Sequence, residues 1–424
     1  MNGPPWLRAR RRAAAERFGL VGLPTDALEE WRYSRIDSLD LDGYRPAAPP
    51  AGADHPPLPD VERLLDALGA ATVLETHDGH VAAIRTGDRD VTVEVLSRPD
   101  APEVDVGAVA GEPEAFTALN MAFAPAPLRV RIPRGASPAP VVIVHRSDTD
   151  GVAVFPRLLV EVDEAADASL LEVVAGPGAA LVVPVTELEV GAAARLRYLH
   201  IQLLGPAAWQ IGLQASRVAR DASLVAAAVA LGGDYARMRT DSALVGPGAD
   251  GRLLALYFAA DHQMHDFRTV QHHKAPKTRS DLLYKGAVGN FARSVYSGLI
   301  RVEKGAAGTN AMQTNRNLVL HEGAHADSVP NLEIEDNDVR CSHASAVGPI
   351  ADDEHFYLES RGVPPDVADR LIALGFLDDV LVQLPVPAVA DTLRWLLAAK
   401  LDAADSAEQA TRGQATRGQT GVRR

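Results

Sequence analysis

The chain has 424 residues, enough for two or three domains with ample core. A net charge of −14 argues against nucleic acid as the main partner, and a single cysteine excludes an internal disulfide. Hydrophobic residues make up 47% but aromatic ones only 5%, so the core must lean on Val, Leu and Ala. No apolar run reaches the roughly 18 residues of a membrane span and no secretory signal is visible, which together with the cysteine count predicts a cytoplasmic protein.

Residues 1–125 read as a helical and mixed region. Pro4-Pro5 precede a pattern in which Trp6, Leu7, Ala13, Ala14 and Phe18 recur, so residues 4–45 are expected to be helical, with Gly19 as a stop. Arg8, Arg10, Arg11, Arg12 and Arg17 read as the solvated face of that first helix rather than as a transit peptide. Residues 46–59 are proline-rich and read as a linker or loop.

From 126 to 350 short alternating strands recur between turn residues. Val130 and Ile132 alternate with Arg129 and Arg131; Leu158, Val160 and Val162 do the same, and Leu332 and Ile334 alternate with Glu333 and Glu335. Small-residue turns at Ala168, Ala194, Ala222 and Gly251 lie 26, 28 and 29 residues apart, with longer steps to Ala292 and Ala326 that would need insertions. A loose period of this size with strands predicts a β-solenoid, whose coils bury their apolar faces by stacking. A β-sandwich would also give short strands, without the repeat.

Residues 351–403 turn helical. Asp352 or Asp353 can cap a helix carrying Phe356, Tyr357 and Leu358 that stops at Gly362. Pro364-Pro365-Asp366 opens a second with Val367, Leu371 and Leu374 on one face, ended by Gly375. A third short helix is expected near Leu377–Gln383, and Pro387 starts a fourth. These helices either cap the open end of the solenoid or form a docking platform. Residues 404–424 duplicate Ala-Thr-Arg-Gly-Gln and are expected to be disordered.

Among the motifs, Gly246-Pro247-Gly248-Ala249-Asp250-Gly251 matches G-x-G-x-x-G by letter, but a strand-like run follows it, so it reads as a tight turn. No Gly-Lys dipeptide and no G-x-S-x-G occur. His262, His265, His272 and His273 cluster, yet no Glu or Cys interleaves them, which favours structural hydrogen bonding over zinc. Glu333, Glu335, Asp336 and Asp338 offer paired carboxylates of the kind a polysaccharide-cleaving β-helix uses. Glu333 and Glu335, however, fall on a solvated strand face, and Asp336-Asn337-Asp338 reads as a turn.

The most informative stretch is Asp338-Val339-Arg340-Cys341-Ser342-His343. In a strand, residues i and i+2 share a face, so Val339, Cys341 and His343 line one side and Arg340 and Ser342 the other. Thiol and imidazole together suit a soft metal or an iron–sulfur unit. Two ligands fall short of the four that closed sites want, so the rest must come from elsewhere, such as another chain. The plain alternative is a small buried thiol in a metal-free protein.

Several further stretches stand around this pair: Asn317-Leu318-Val319-Leu320, Pro330-Asn331-Leu332-Glu333-Ile334, Val347-Gly348 and Phe356-Tyr357-Leu358-Glu359-Ser360-Arg361-Gly362. Upstream are Glu30-Trp31-Arg32-Tyr33, Leu119-Asn120-Met121-Ala122-Phe123, His273-Lys274-Ala275-Pro276 with Thr278 and Ser280, and Tyr296-Ser297-Gly298-Leu299-Ile300. Together they resemble the SufB/SufD family of iron–sulfur cluster assembly proteins, over about residues 28–400. The Cys-Ser-His form is similar to the SufD branch; SufB proteins show a Glu-His-Glu-like sequence there and a cysteine near Gln313–Asn317. The resemblance implies a right-handed parallel β-helix core and a non-enzymatic scaffold that pairs with SufB through the β-helices. It also implies docking of the SufC ATPase on the C-terminal helices, with Phe356, Tyr357, Arg361, Leu371 and Phe376 as candidate contacts. A transient iron–sulfur cluster shared with SufB would form at that interface, with His343 the first candidate ligand and Cys341 the second. A homodimer is an alternative when SufB is absent.

Overall fold

The computed structural model describes residues 3–49, 56–69, 72–111 and 114–420, without the side chains of Asp366 and 409–420. Its centre is a β-solenoid of about eight turns, built from two facing sheets. Sheet I runs from Thr92–Val95 through Leu128–Ile132, Arg157–Val162, Val185–Val190, Trp209–Val218, Tyr235–Leu244, Met264–His273 and Arg293–Val302 to His325–Ile334. Sheet II runs from the hairpin Thr72–His77/His80–Thr86 through Val141–Arg146, Asp167–Gly176, Arg195–Leu204, Ser223–Ala230, Asp250–Ala259, Arg279–Val288 and Thr309–Val319 to Val339–Gly348. Each coil gives one strand to each sheet, and successive coils pair in parallel. The stacked path of sheet II thus begins with the hairpin at Thr72, inside the segment read as mixed.

In-register residues on sheet II are Ala168, Leu196, Leu224, Gly251, Ser280, Ala311 and Cys341. The step varies between 27 residues (Leu224 to Gly251) and 31 (Ser280 to Ala311). The expected period is therefore correct in size, but its markers are out of phase. Ala194 and Ala222 correspond to Ala166 and Ala249, while Ala326 lies on sheet I and Ala292 just before the Arg293–Val302 strand of that sheet, so neither marks a coil of sheet II or calls for an insertion. The cleaner repeat signal is conformational: Ala165, Ala193, Asp221, Gly248, Lys277 and Gly308 all have positive φ at the same corner. The amide of each donates to a carbonyl of the next coil's corner, as Asp221 N does to Pro247 O and Gly248 N to Pro276 O (3.0 and 3.3 Å). Gly248 is one rung of that stacked turn, which accounts for the glycine-rich run without a nucleotide.

The bore is filled by alternating inward residues such as Leu128, Val160, Leu170, Leu196, Tyr198, Leu224, Tyr257 and Tyr284. Both outer faces are covered. The N-terminal segment comprises α1 (Pro5–Val21), which runs past Gly19 to end before Gly22, three short 3-10 turns in place of further helix, α2 (Pro59–Leu68) and α3 (Ala115–Phe123). Trp31, Ile36, Phe116 and Leu119 lie on sheet I against Trp209, Ile211, Tyr235 and Met264. Arg237 stacks on Trp31 at 3.9 Å while pairing with buried Asp266, so the Glu-Trp-Arg-Tyr stretch is a strap. Arg10 and Arg11 are not simply solvated: Arg10 pairs with Asp105 at 2.7 Å and buried Arg11 donates to Ala124 O. The proline-rich run lies partly outside the described residues; of the rest, Pro59 opens α2 and Arg45–Pro46 pairs with Val152–Ala153.

The C-terminal helices are α4 (Asp352–Ser360), α5 (Pro365–Leu381) and α6 (Ala390–Thr420). Ala351 rather than an aspartate stands at the start of α4, and α5 continues through Gly375, absorbing the expected third helix. Nor do the helices cap the solenoid's end. Leu377, Val380, Leu381, Leu393, Leu397 and Leu401 cover the outer face of sheet II, against Leu199, Val229, Leu254, Leu256 and Phe258. Each such buried side chain contributes about 1.5–3 kcal/mol relative to exposure. Lys400 pins α6 to the coil corners by donating to Leu231 O, Phe258 O and Gln263 Oε1. Helix α6 also runs on to Thr420, through the segment expected to be disordered.

Candidate metal-ligating mouth of the solenoid

The strands His325–Ile334 and Val339–Gly348 are the last of their sheets; each has a neighbour on one side only. No coil lies above them, so inward-facing residues surface here: Leu332 is 38% exposed and Ile334 42%, although Ile300, the register partner of Leu332, is fully buried. Ser345 Oγ donates to Ser328 Oγ at 2.7 Å and ties the sheets together across the mouth.

Strand alternation places the Cys-Ser-His residues as the sequence predicts. Val339 and Cys341 pack inward against Ile300, Val302, Ala306 and Ala311, while Arg340 and Ser342 are exposed on the opposite face. His343 shares the inward face but is exposed, because Gln313, its register partner one coil below, is the last buried layer. Burial pushes the Cys341 thiol up, and a hydrogen bond with the Ala311 backbone offsets only part of this. The thiol is therefore protonated at neutral pH. No three His, Cys, Asp or Glu side chains gather to hold a metal ion among the described residues. Cys341 and His343 fit as a partial donor set, soft sulfur plus imidazole, at an accessible edge.

The histidine cluster does not assemble as a site. His262 stacks on Phe291 and His272 pairs with Glu303 at 2.7 Å. His265 is buried against Gly232 O (3.1 Å), and burial with nearby Lys400 holds its pKa at about 3. His273 bonds Thr278 and Ser280 (2.7 and 2.9 Å), and burial holds it at about 4. The His-Lys-Ala-Pro, Thr278 and Ser280 positions are thus one internal hydrogen-bond cluster. Asn120 is internal too, donating to Pro156 O and Val183 O at 2.7 Å each. The acidic run is surface structure: Glu333 pairs with Arg301 at 2.5 Å, and Asp336 accepts from the amides of Gly305 and Asp338.

On the helices, Phe356 is 72% exposed, Tyr357 and Leu371 are exposed, and Arg361 lies 5.3 Å over the Tyr357 ring. Phe376 differs: it turns toward the solenoid, where Lys285 sits 4.5 Å from its ring. Sequence reasoning missed two features of the bore. One is Gln313. The other is a buried cluster in which Glu172 accepts from Thr186 and Tyr198 and lies 3.2 Å from His145 Nε2, with His200 beside it. Burial alone would raise the Glu172 carboxyl, but the histidines and Tyr198 outweigh it and hold the pKa at about 2. Aligning coils on the corner residues would have placed both inside the bore.

Residues 145–376 match the SufBD core domain of the SUF system for iron–sulfur cluster assembly. A SufBD family protein of Mycobacterium tuberculosis (strain ATCC 25618 / H37Rv) is 34% identical over 355 residues, 79% of this chain and 87% of the relative. SufD of Escherichia coli (strain K12) is 28% identical over 365 residues, 84% of each chain. With the solenoid, its straps and its open mouth in place, these matches make the chain a member of the SufB/SufD family of iron–sulfur cluster assembly proteins.

Proposed function

We propose that this chain is a SufD-type scaffold subunit that pairs through the open end of its solenoid with SufB, in the cytoplasm. The observation that carries this reading is the uncapped last coil, which exposes His343 beside Cys341 at a bare sheet edge. Unpaired edges with exposed apolar residues invite strand pairing with another chain. His343, with Cys341 as second donor, supplies part of a coordination set, and SufB supplies the rest around the nascent cluster, which is cargo rather than a resident group. The SufC ATPase docks on the exposed face of α4 and α5 at Phe356, Tyr357, Arg361 and Leu371; Phe376 supports that face from beneath. ATP hydrolysis belongs to SufC, and this chain performs no catalysis of its own.

The test is co-purification with SufB and SufC followed by iron and sulfide analysis. His343→Ala is expected to leave the complex intact and to reduce cluster yield at least tenfold, and the isolated chain is expected to keep little iron. An unchanged yield, or a stable stoichiometric cluster on the chain alone, refutes the reading; loss of the complex itself would mark His343 as structural. Point variants are required for the SufC surface. Deleting α4–α6 would bare Leu254, Leu256 and Phe258 on sheet II and unfold or aggregate the solenoid.

A further inference from the structure

The inward column that ends at His343 changes character one coil below it. In register, it reads Ala226, Leu253, Leu282, Gln313, His343. Leu253 and Leu282 are buried and pack in the bore, so an aliphatic residue would complete the column at 313. Gln313 is instead fully buried, and its amide makes no aligned hydrogen bond. Its nitrogen and the Tyr296 hydroxyl crowd the same space over Gly298, and that hydroxyl is already engaged with Thr269 Oγ1 at 3.0 Å; the amide oxygen has no partner. A buried amide oxygen left without a donor is uncommon and needs a reason.

Gly298 makes the room. A Cβ there would fall 2.4 Å from Gln313 Nε2 and 2.2 Å from the Tyr296 hydroxyl, so only glycine lets the two side chains meet over that strand. The strands of Gln313 and His343 are direct parallel neighbours, about 4.8 Å apart, and both side chains point to the bore. A neutral imidazole that gives one nitrogen to a metal keeps an N–H on the other, and that N–H needs an acceptor to fix the tautomer and the ring plane. The unfilled acceptor belongs to the residue one coil below His343 in the same inward column.

We infer that Gln313 is the positioning residue of the mouth: its Oε1 accepts the His343 ring N–H and aims the other ring nitrogen out of the solenoid toward the incoming metal. Gly298 and Tyr296 hold the amide in place from the facing sheet. This deepens the proposed function and rests on His343 being a ligand there.

The test uses the partner-bound complex with Co2+ as probe, together with the 15N shifts of the His343 ring in the free chain. Gln313→Met should keep the melting temperature and the yield of complex. It should weaken by about 10–100-fold the Co2+ binding that His343→Ala removes. It should also shift the His343 tautomer ratio at least twofold, and Gln313→Glu, which retains an acceptor oxygen, should restore the affinity to within about threefold. Unchanged affinity and unchanged tautomer ratio in Gln313→Met, with His343→Ala still abolishing the signal, overturn the positioning role. A Co2+ signal indifferent to His343→Ala overturns the ligand reading instead, and the tautomer ratio then decides the role of Gln313 by itself.

Discussion

At its N-terminal end the solenoid is closed by strands that run against the grain. His80–Thr86 pairs antiparallel with Thr72–His77, Thr92–Val95 pairs antiparallel with Leu128–Ile132, and Leu74 beneath them is fully buried. At the C-terminal end the last strands keep the parallel order and simply stop, leaving Leu332, Ile334 and Val347 exposed around His343. The helices that might have covered this end lie along sheet II instead. A stacked-coil protein needs both ends protected to stay soluble. The uncapped C-terminal end is where the proposed pairing with SufB would supply the missing cover.

The sharpest way to break this contrast is a matched pair of truncations in side-chain size. Leu74→Ala at the closed end should cost about 2–5 kcal/mol, as buried leucines do. Leu332→Ala at the mouth should stay within about 0.5 kcal/mol in the free chain. Urea unfolding reads both, and equal losses would mean that the mouth is already packed in the monomer.

Acid should destabilise the buried interior. His265 and His273 have folded pKa values of about 3 and 4, below the ordinary 6.5, so the unfolded chain binds more protons between those values. Their contribution is complete above pH 6.5 and is lost as pH falls toward 4, at about 1.4 kcal/mol per pH unit for each histidine. Glu172, held at about 2, extends the loss as pH falls from 4.5 toward 2. His273→Gln should flatten the stability–pH curve between pH 6.5 and 4; an unaltered slope would show that this histidine is not buried neutral.

A smaller effect should appear on the helices. Phe356→Ala combined with Tyr357→Ala is expected to weaken binding of the ATPase partner by about 1–2 kcal/mol in a calorimetric titration, without changing the melting temperature. A lowered melting temperature would assign those rings to packing.

Much of this was legible in the residues themselves. The alternation of Val339, Arg340, Cys341, Ser342 and His343 on two faces follows from strand geometry, and so does the size of the coil repeat. Its phase was not legible, because the corners are marked by conformation rather than composition: Ala165, Asp221 and Lys277 share a left-handed backbone that no single residue type announces. Gln313 was invisible for a related reason. A glutamine in the run Gln-Thr-Asn-Arg-Asn is unremarkable until strand pairing stacks it on Leu282 and under His343.

The sequence by itself determined the local terms: strand alternation, turn chemistry, the shared face of Cys341 and His343 and the apolar stripes of the helices. Each depends on neighbours within one element, at periods of 2 or 3.6 residues. Tertiary structure alone decided which coil is last, which face the helices cover and which buried amide waits beneath the histidine. Those follow from contacts about 30 residues apart or more, where register is fixed only after every coil has stacked on the one before.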